Sequence, residues 1–259
     1  MAEAAPVGRF VWYDLMTTDT AGAEQFYTQL FGWGTQDFEG SQEPYTMWSN
    51  NGDMIGGFMA LPAELKQVGV PTHWIAAIAV ADVDETAARA KQLGGSVQAG
   101  PMDIPDVGRY AVLMDPQGAA FAVFTAKEHW PGTDEPAPLG SMSWHELATS
   151  DWQKAWDFYR QLFGWEDATA MEMGEAGTYQ MFGRKGVPLG GIYTKPAEQG
   201  PPAWLQYTAV QDADRAAERV KQLGGTIVVE PMEVPGGDRI AVCTDPQGGF
   251  FAVHSRKAS

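Results

Sequence analysis

Cysteine is almost absent from this chain, with Cys243 the only one in 259 residues. A single thiol forms no intrachain disulfide and builds no cysteine-based zinc cluster. It lies in the apolar run IAVCTD, where a small core residue is a better reading than a nucleophile. Positive charge is also short: 17 Lys and Arg face 33 Asp and Glu, a formal net charge of −16. A chain this acidic repels phosphate backbones and anionic lipid, so nucleic acid and membrane surfaces are not expected partners. No apolar stretch approaches the roughly 18 residues a bilayer crossing needs. The start, MAEAAPVGRF, lacks the basic and apolar regions of a signal peptide, and a cytoplasmic location is expected. G-x-G-x-x-G, P-loop, H-E-x-x-H and G-x-S-x-G patterns are missing, so nucleotide, zincin and serine-hydrolase readings have no motif behind them.

What the chain does have is itself, twice. WYDLMTTD at 12–19 returns as WHELATSD at 144–151, and QFYTQLFGW at 25–33 as DFYRQLFGW at 157–165. IGGF at 55–58 returns as LGGI at 189–192; KQLGG, PMDIP/PMEVP and DPQG follow in the same order. Ordered segments with nearly constant offset mean a tandem duplication with small loop changes. Hydrophobic content of 44% and charged content of 19% are those of a folded chain, long enough for two domains. The first domain is placed at 7–126, a Pro- and Gly-rich linker at 127–138 and the second domain at 139–257.

Each copy reads as the same α+β pattern. FVWYDLMT is a strand, Asp19 or Thr20 caps a helix with Ala23, Phe26, Tyr27 and Leu30 on one face, and Gly32 stops it. Strands near 34–39, 45–49 and 54–60 follow. The pattern restarts with HWIAAIAV and a helix capped by Asp82, with Glu85 completing a capping box. Asp115-Pro116-Gln117-Gly118 joins the last two strands as a type I turn. The chain therefore holds four βαβββ units in two modules, each with helices on one sheet face and the other face left for a ligand.

The D-x-x-x-A-x-x-FY-x-x-LFGW segment followed by a second unit ending in DPxG resembles the vicinal oxygen chelate superfamily, which groups glyoxalases, bleomycin-resistance proteins and extradiol dioxygenases. The likeness is greatest to its two-module, hydroxylase-like members and implies curved mixed sheets. It also implies a divalent metal held by His, Glu or Gln side chains that polarises substrate oxygens. The matching positions here are Trp12 and Trp144, Gly56 or Gly57 and Gly190 or Gly191, Ile75 and Leu205, and Ala122 and Ala252. Indole, methyl and aliphatic groups do not coordinate such metals, so neither a metal nor another cofactor is expected. A shifted set of Glu146, Gln206 and His254 is the alternative in the second module. His73, His129 and His145 have no partner at metal-ligand spacing.

The leading expectation is thus a binder of a small apolar or aromatic molecule. Trp12 with Trp144 and Trp74 with Trp204 would supply an aromatic floor. Arg109 and Arg239, which open matching strands, would clamp an anionic group or else pair with a neighbouring carboxylate. Gln206 and His254 make the second module the more polar. Two enzymatic alternatives stand beside this one. The first is a glyoxalase, hydroxylase or dioxygenase with a displaced metal. The second is metal-free acid–base catalysis, with Asp14 or Glu146 as a base whose pKa a dry pocket would raise. Two fused modules suggest a monomer that behaves as a pseudo-dimer, or a homodimer of such chains.

Overall fold

The computed structural model describes residues 5–40, 43–130, 136–174 and 177–257; residues 131–135 of the expected linker lie outside them. The first copy runs β1 (Phe10–Thr17), α1 (Thr20–Phe31), β2 (Gly34–Asp37), β3 (Tyr45–Asn50), β4 (Asp53–Ala60), α2 (Ala63–Gln67), β5 (His73–Ala79), α3 (Val83–Gln92), β6 (Ser96–Ile104), β7 (Gly108–Met114) and β8 (Ala120–Ala126). The second runs β9 (Met142–Thr149), α4 (Trp152–Phe163), β10 (Glu166–Glu172), β11 (Thr178–Arg184), β12 (Val187–Thr194), β13 (Ala203–Ala209), α5 (Ala213–Gln222), β14 (Thr226–Glu233), β15 (Arg239–Thr244) and β16 (Phe250–Ser255). Four βαβββ units are present, as the repeats require. Among the described residues two short helical pieces were not foreseen, the five-residue α2 between β4 and β5 and a 3-10 turn at Ala197–Gln199 between β12 and β13, and neither buries a residue. Among the described residues no helix is long and apolar enough to cross a membrane.

Local chemistry accounts for the element ends. Asp19 and Asp82 accept the backbone N–H of Gly22 and Glu85 at 3.0 and 2.9 Å, which satisfies donors that the first helical turn leaves orphaned. Asp151 and Asp212 repeat this on α4 and α5. The glycine of each LFGW motif sits in the left-handed region, φ 75° at Gly32 and 67° at Gly164, where other residues are strained. The strands form two eight-stranded mixed sheets, ordered β2-β3-β4-β1-β5-β8-β7-β6 and β10-β11-β12-β9-β13-β16-β15-β14. Within them β1 pairs parallel with β4, and β5 with β8, while the hairpin neighbours are antiparallel.

Compact packing does not follow the two copies. One unit gathers the described residues up to Trp12, those from Ile75 to 130, and His145–Trp204; the other gathers Tyr13–Trp74, 136 to Trp144, and Leu205 to 257. Each therefore combines a half of one copy with a half of the other. In the second unit Phe26, Tyr27 and Phe31 of α1 pack on Phe251 of β16. In the first, Phe158, Tyr159 and Phe163 of α4 pack on Phe121 of β8.

One hydrogen-bonded chain runs through each aromatic cluster. Trp74 donates its indole N–H to the Tyr27 hydroxyl at 3.0 Å, and that hydroxyl donates to Asp245 at 2.8 Å. The other carboxylate oxygen of Asp245 accepts the backbone N–H of Gln247 and Gly249, which shapes the DPQG turn. Trp204, Tyr159 and Asp115 repeat the arrangement, both hydrogen bonds measuring 3.0 Å. Burial pushes both carboxyls above the usual carboxylate value, and the turn amides and the tyrosine oppose it.

Replacing Tyr27 or Tyr159 by Phe deprives a buried indole of its acceptor and a buried carboxylate of a donor. Each variant is expected to lose about 1–3 kcal/mol of stability. The measurement is the urea midpoint, which should fall with no change in the slope of the transition.

Candidate functional site

In each module a carboxylate on the first strand meets a tyrosine that lies across a glycine. In the second unit Tyr45 of β3 donates its hydroxyl to Asp14 of β1 at 2.5 Å. In the first, Tyr179 of β11 donates to Glu146 of β9 at 3.0 Å. Gly57 and Gly191 make this possible: a Cβ on either would fall inside the tyrosine ring. Their neighbours Gly56 and Gly190 are closed off differently, since a Cβ there would meet the carbonyl of Tyr13 or His145. Bare backbone at both positions of the pair is thus a steric requirement. Beside Tyr179, Tyr193 of β12 stacks at 6.1 Å between ring centroids. Its hydroxyl is pushed up to about 12, first by burial and then by the negative charge of Glu146. The second copy therefore surrounds its carboxylate with two tyrosines, where the first has Met59 in place of Tyr193.

The remaining sequence candidates are scattered. Trp12 is half-buried and packs on an apolar cluster of Val11, Ile75, Ala77, Ala79, Ala122 and Phe124, and Trp144 is half-buried on β9. Trp74 and Trp204, expected on a ligand floor, are instead buried in the aromatic cores beside α1 and α4, their indole N–H groups bound to tyrosine. Arg109 grips Asp84 through two hydrogen bonds of 2.5 and 3.0 Å and reaches Asp103 with its remaining terminal nitrogen. Arg239 grips Asp214 in the same way at 2.6 and 2.8 Å. Both guanidiniums tie a strand to the first turn of a helix, so the ion-pair alternative describes them and an anion clamp does not. Gln206 is 2% exposed, and neither amide atom finds a partner among the described residues. His254 is held at both ring nitrogens, by Ser143 and by Asp238. His145 is buried, stacks on Phe10 at 3.7 Å and lies 3.0 Å from the Leu189 carbonyl.

A family model for the glyoxalase/bleomycin resistance protein/dioxygenase superfamily matches residues 9–123 and again 141–253. The chain belongs to that superfamily. CFP32 of Mycobacterium tuberculosis, whose name assigns it provisionally to the glyoxylases, is 35% identical over 93% of this chain and 92% of its own length. The anthracycline biosynthesis protein DauV of Streptomyces sp. strain C5 is 34% identical over 100% of this chain and 97% of its own. Among solved structures, the Mn(II)-bound glyoxalase of Novosphingobium aromaticivorans superposes with a TM-score of 0.66 at 16% identity, covering 98% of this chain and 84% of that one. A likeness at that identity speaks for the fold.

The metal that this superfamily implies does not suit the residues present. Two ligand positions are glycines whose side-chain space is filled by Tyr45 and Tyr179. Ala122 and Ala252 stand where a carboxylate would close the set, fully buried and without a lone pair. The displaced set fares no better: both nitrogens of His254 are already engaged. No group of three His, Cys, Asp or Glu side chains among the described residues is placed to hold an ion. The position of Tyr45 and Tyr179 over their glycines was not anticipated, although an aromatic residue opposite a Gly-Gly pair in a neighbouring strand is a usable signal.

His145 also sets a pH dependence. Burial pushes its pKa down to about 4, whereas the unfolded ring titrates near the ordinary imidazole value of 6.5. The unfolded chain binds the proton more readily, so this stability is present above about pH 6.5 and is lost as pH falls toward 4. The shift corresponds to on the order of 3 kcal/mol. His145→Phe removes the titrating group, and denaturant unfolding at pH 7.5 and 4.5 should show a loss smaller by about 2–3 kcal/mol than in the parent.

Proposed function

We propose that the chain binds an aromatic small molecule without a metal, at the carboxylate–tyrosine pairs of its two modules. The observation that carries this reading is the tyrosine lying over Gly191 and hydrogen-bonded to Glu146. A hydroxyl donor and a ring face occupy the place where the superfamily's metal chemistry needs a coordinating side chain. Tyr179 and Tyr193 offer flat apolar surface, and Glu146 offers one charged acceptor that fixes orientation. Asp14 with Tyr45 forms the simpler counterpart. A relative named for anthracycline biosynthesis at 34% identity favours a polycyclic aromatic ligand. Sequestration or delivery of such a compound needs no reaction. Each compact unit is completed by halves of one chain, so a monomer is the proposed working form.

Titration of the purified protein with an anthracycline, followed by tryptophan fluorescence, tests the reading. A saturable quench that EDTA leaves unchanged is expected. Glu146→Gln should weaken binding about tenfold, the equivalent of one charge-assisted contact. The same titration of Asp14→Asn reports whether the first module contributes. About one divalent ion per chain after purification, removed together with ligand binding by EDTA, would overturn the proposal in favour of a displaced metal site.

A further inference from the structure

The two copies differ most sharply at one place. In the second unit Ser143 of β9 lies 2.9 Å from Nδ1 of His254 on β16, and Nε2 of the same ring lies 2.9 Å from Asp238, just before β15. The first copy has Val11, Phe124 and Gly108 at the corresponding positions of its strands and turn. There Val11 and Phe124 belong to one buried apolar cluster, with Trp130 packed against it. Gly108 is bare because a Cβ there would meet first the backbone carbonyl of Thr125 and then the Phe124 ring, 2.8 Å away. All three positions change together, from apolar to hydroxyl, imidazole and carboxylate.

The fold does not demand the polar set, since its own duplicate closes with the apolar one. Burying an imidazole and a hydroxyl is the costlier choice unless each is hydrogen-bonded. They are, and in a definite order. Asp238 has no proton to give, so it fixes the hydrogen on Nε2 and leaves the Nδ1 lone pair facing Ser143. Burial works to raise the Asp238 pKa, but the Lys257 amide and the His254 ring bring it below the usual value, so it is ionised at neutral pH. The ring is 14% exposed and Asp238 36%, so the group borders solvent. Ser143 Oγ also lies 3.2 Å from the Tyr207 carbonyl, a second acceptor that competes for the single hydroxyl hydrogen at longer range than Nδ1 at 2.9 Å. A hydroxyl within hydrogen-bond reach of a base that a third group orients is the geometry of an activated nucleophile, recognised by roles and not by sequence spacing.

We propose that Ser143, His254 and Asp238 form a nucleophilic centre that transfers acyl groups from small activated esters. Ser143 Oγ bonds to the ester carbonyl carbon as its proton passes to His254 Nδ1, and the carbonyl electron pair moves to oxygen. Collapse breaks the bond to the alcohol, which leaves with that proton. Water then repeats the sequence on the acyl-serine, giving the carboxylic acid and restoring the hydroxyl. Asp238 is a positioning residue. The centre uses neither Glu146 nor Asp14 and is independent of the aromatic binding reading.

A fluorophosphonate probe tests this on the full chain without knowledge of the substrate. It phosphonylates an activated serine with loss of fluoride, and peptide mass spectrometry locates the adduct. The expected result is an adduct on Ser143 that is absent from Ser143→Ala. His254→Phe should slow its formation at least 100-fold, and isosteric Asp238→Asn about 10²–10⁴-fold. Asp238→Glu should recover part of that rate, which a purely structural role would not predict. Hydrolysis of 4-nitrophenyl acetate should follow the same ranking. The triple variant S143V/H254F/D238G reproduces the first copy's set; it is expected to unfold cooperatively and to remain unlabelled. No adduct on Ser143 in the parent protein, or equal labelling rates in the parent, H254F and D238N, overturns the proposal.

Discussion

A tyrosine hydroxyl buried against an aspartate is the contact through which each unit closes. Tyr27 comes from the first copy and Asp245 from the second; Tyr159 comes from the second and Asp115 from the first. Each carboxylate sits among aromatic rings, an environment that would expel a charge left alone. It stays because one oxygen accepts two turn amides and the other accepts the tyrosine, which in turn accepts from an indole. Removing any member strands the others, so the helix, the DPQG turn and the β5 or β13 tryptophan are tied into one all-or-none cluster. Duplication with exchange of halves follows directly. A lone copy would carry the tyrosine-bearing helix of one unit and the aspartate turn of the other.

Two copies on one backbone act as a built-in control for what the fold needs. Where they agree, as at the Trp–Tyr–Asp chains, the LFGW stops and the Arg–Asp forks, the residues serve architecture. Where they differ, the fold tolerates both choices and something else decides. Tyr193 against Met59 changes the wall beside a carboxylate, and His254 against Phe124 changes an apolar plug into a hydrogen-bonded relay. Both changes make the second copy the more polar.

The sequence carried the fold plainly because its signals are local. Asp19 and Asp82 act on amides three residues away, and Gly32 and Gly164 adopt a conformation that the glycine itself permits. The site was less legible because its contacts cross strands. Trp74 and Trp204 were assigned to a ligand floor on chain position, yet they face the helices, and only the partner tyrosines reveal this. The ion pairs of Arg109 and Arg239 follow from the distance between a strand mouth and a helix start, 25 residues apart in both copies. The Ser143–His254–Asp238 group joins three strand ends and carries no local motif. Its one sequence signal is three simultaneous differences between aligned copies, Val11, Phe124 and Gly108 against Ser143, His254 and Asp238.

The same logic bears on the metal-free reading proposed above. A metal site stabilises negative charge on its carboxylates by placing a cation among them. Here a phenol hydroxyl from the next hairpin donates to Asp14 and to Glu146. A neutral donor orients a carboxylate without supplying an opposite charge of its own. Tyr193 feels this directly, since the charge on Glu146 helps hold its hydroxyl in the protonated form. On the reading proposed above, a carboxylate beside aromatic walls favours a ligand that brings its own hydrogen-bond donor or cation over one that brings an oxyanion. The arrangement so read reverses the preference of a metal site, whose cation attracts the oxygens of its substrate.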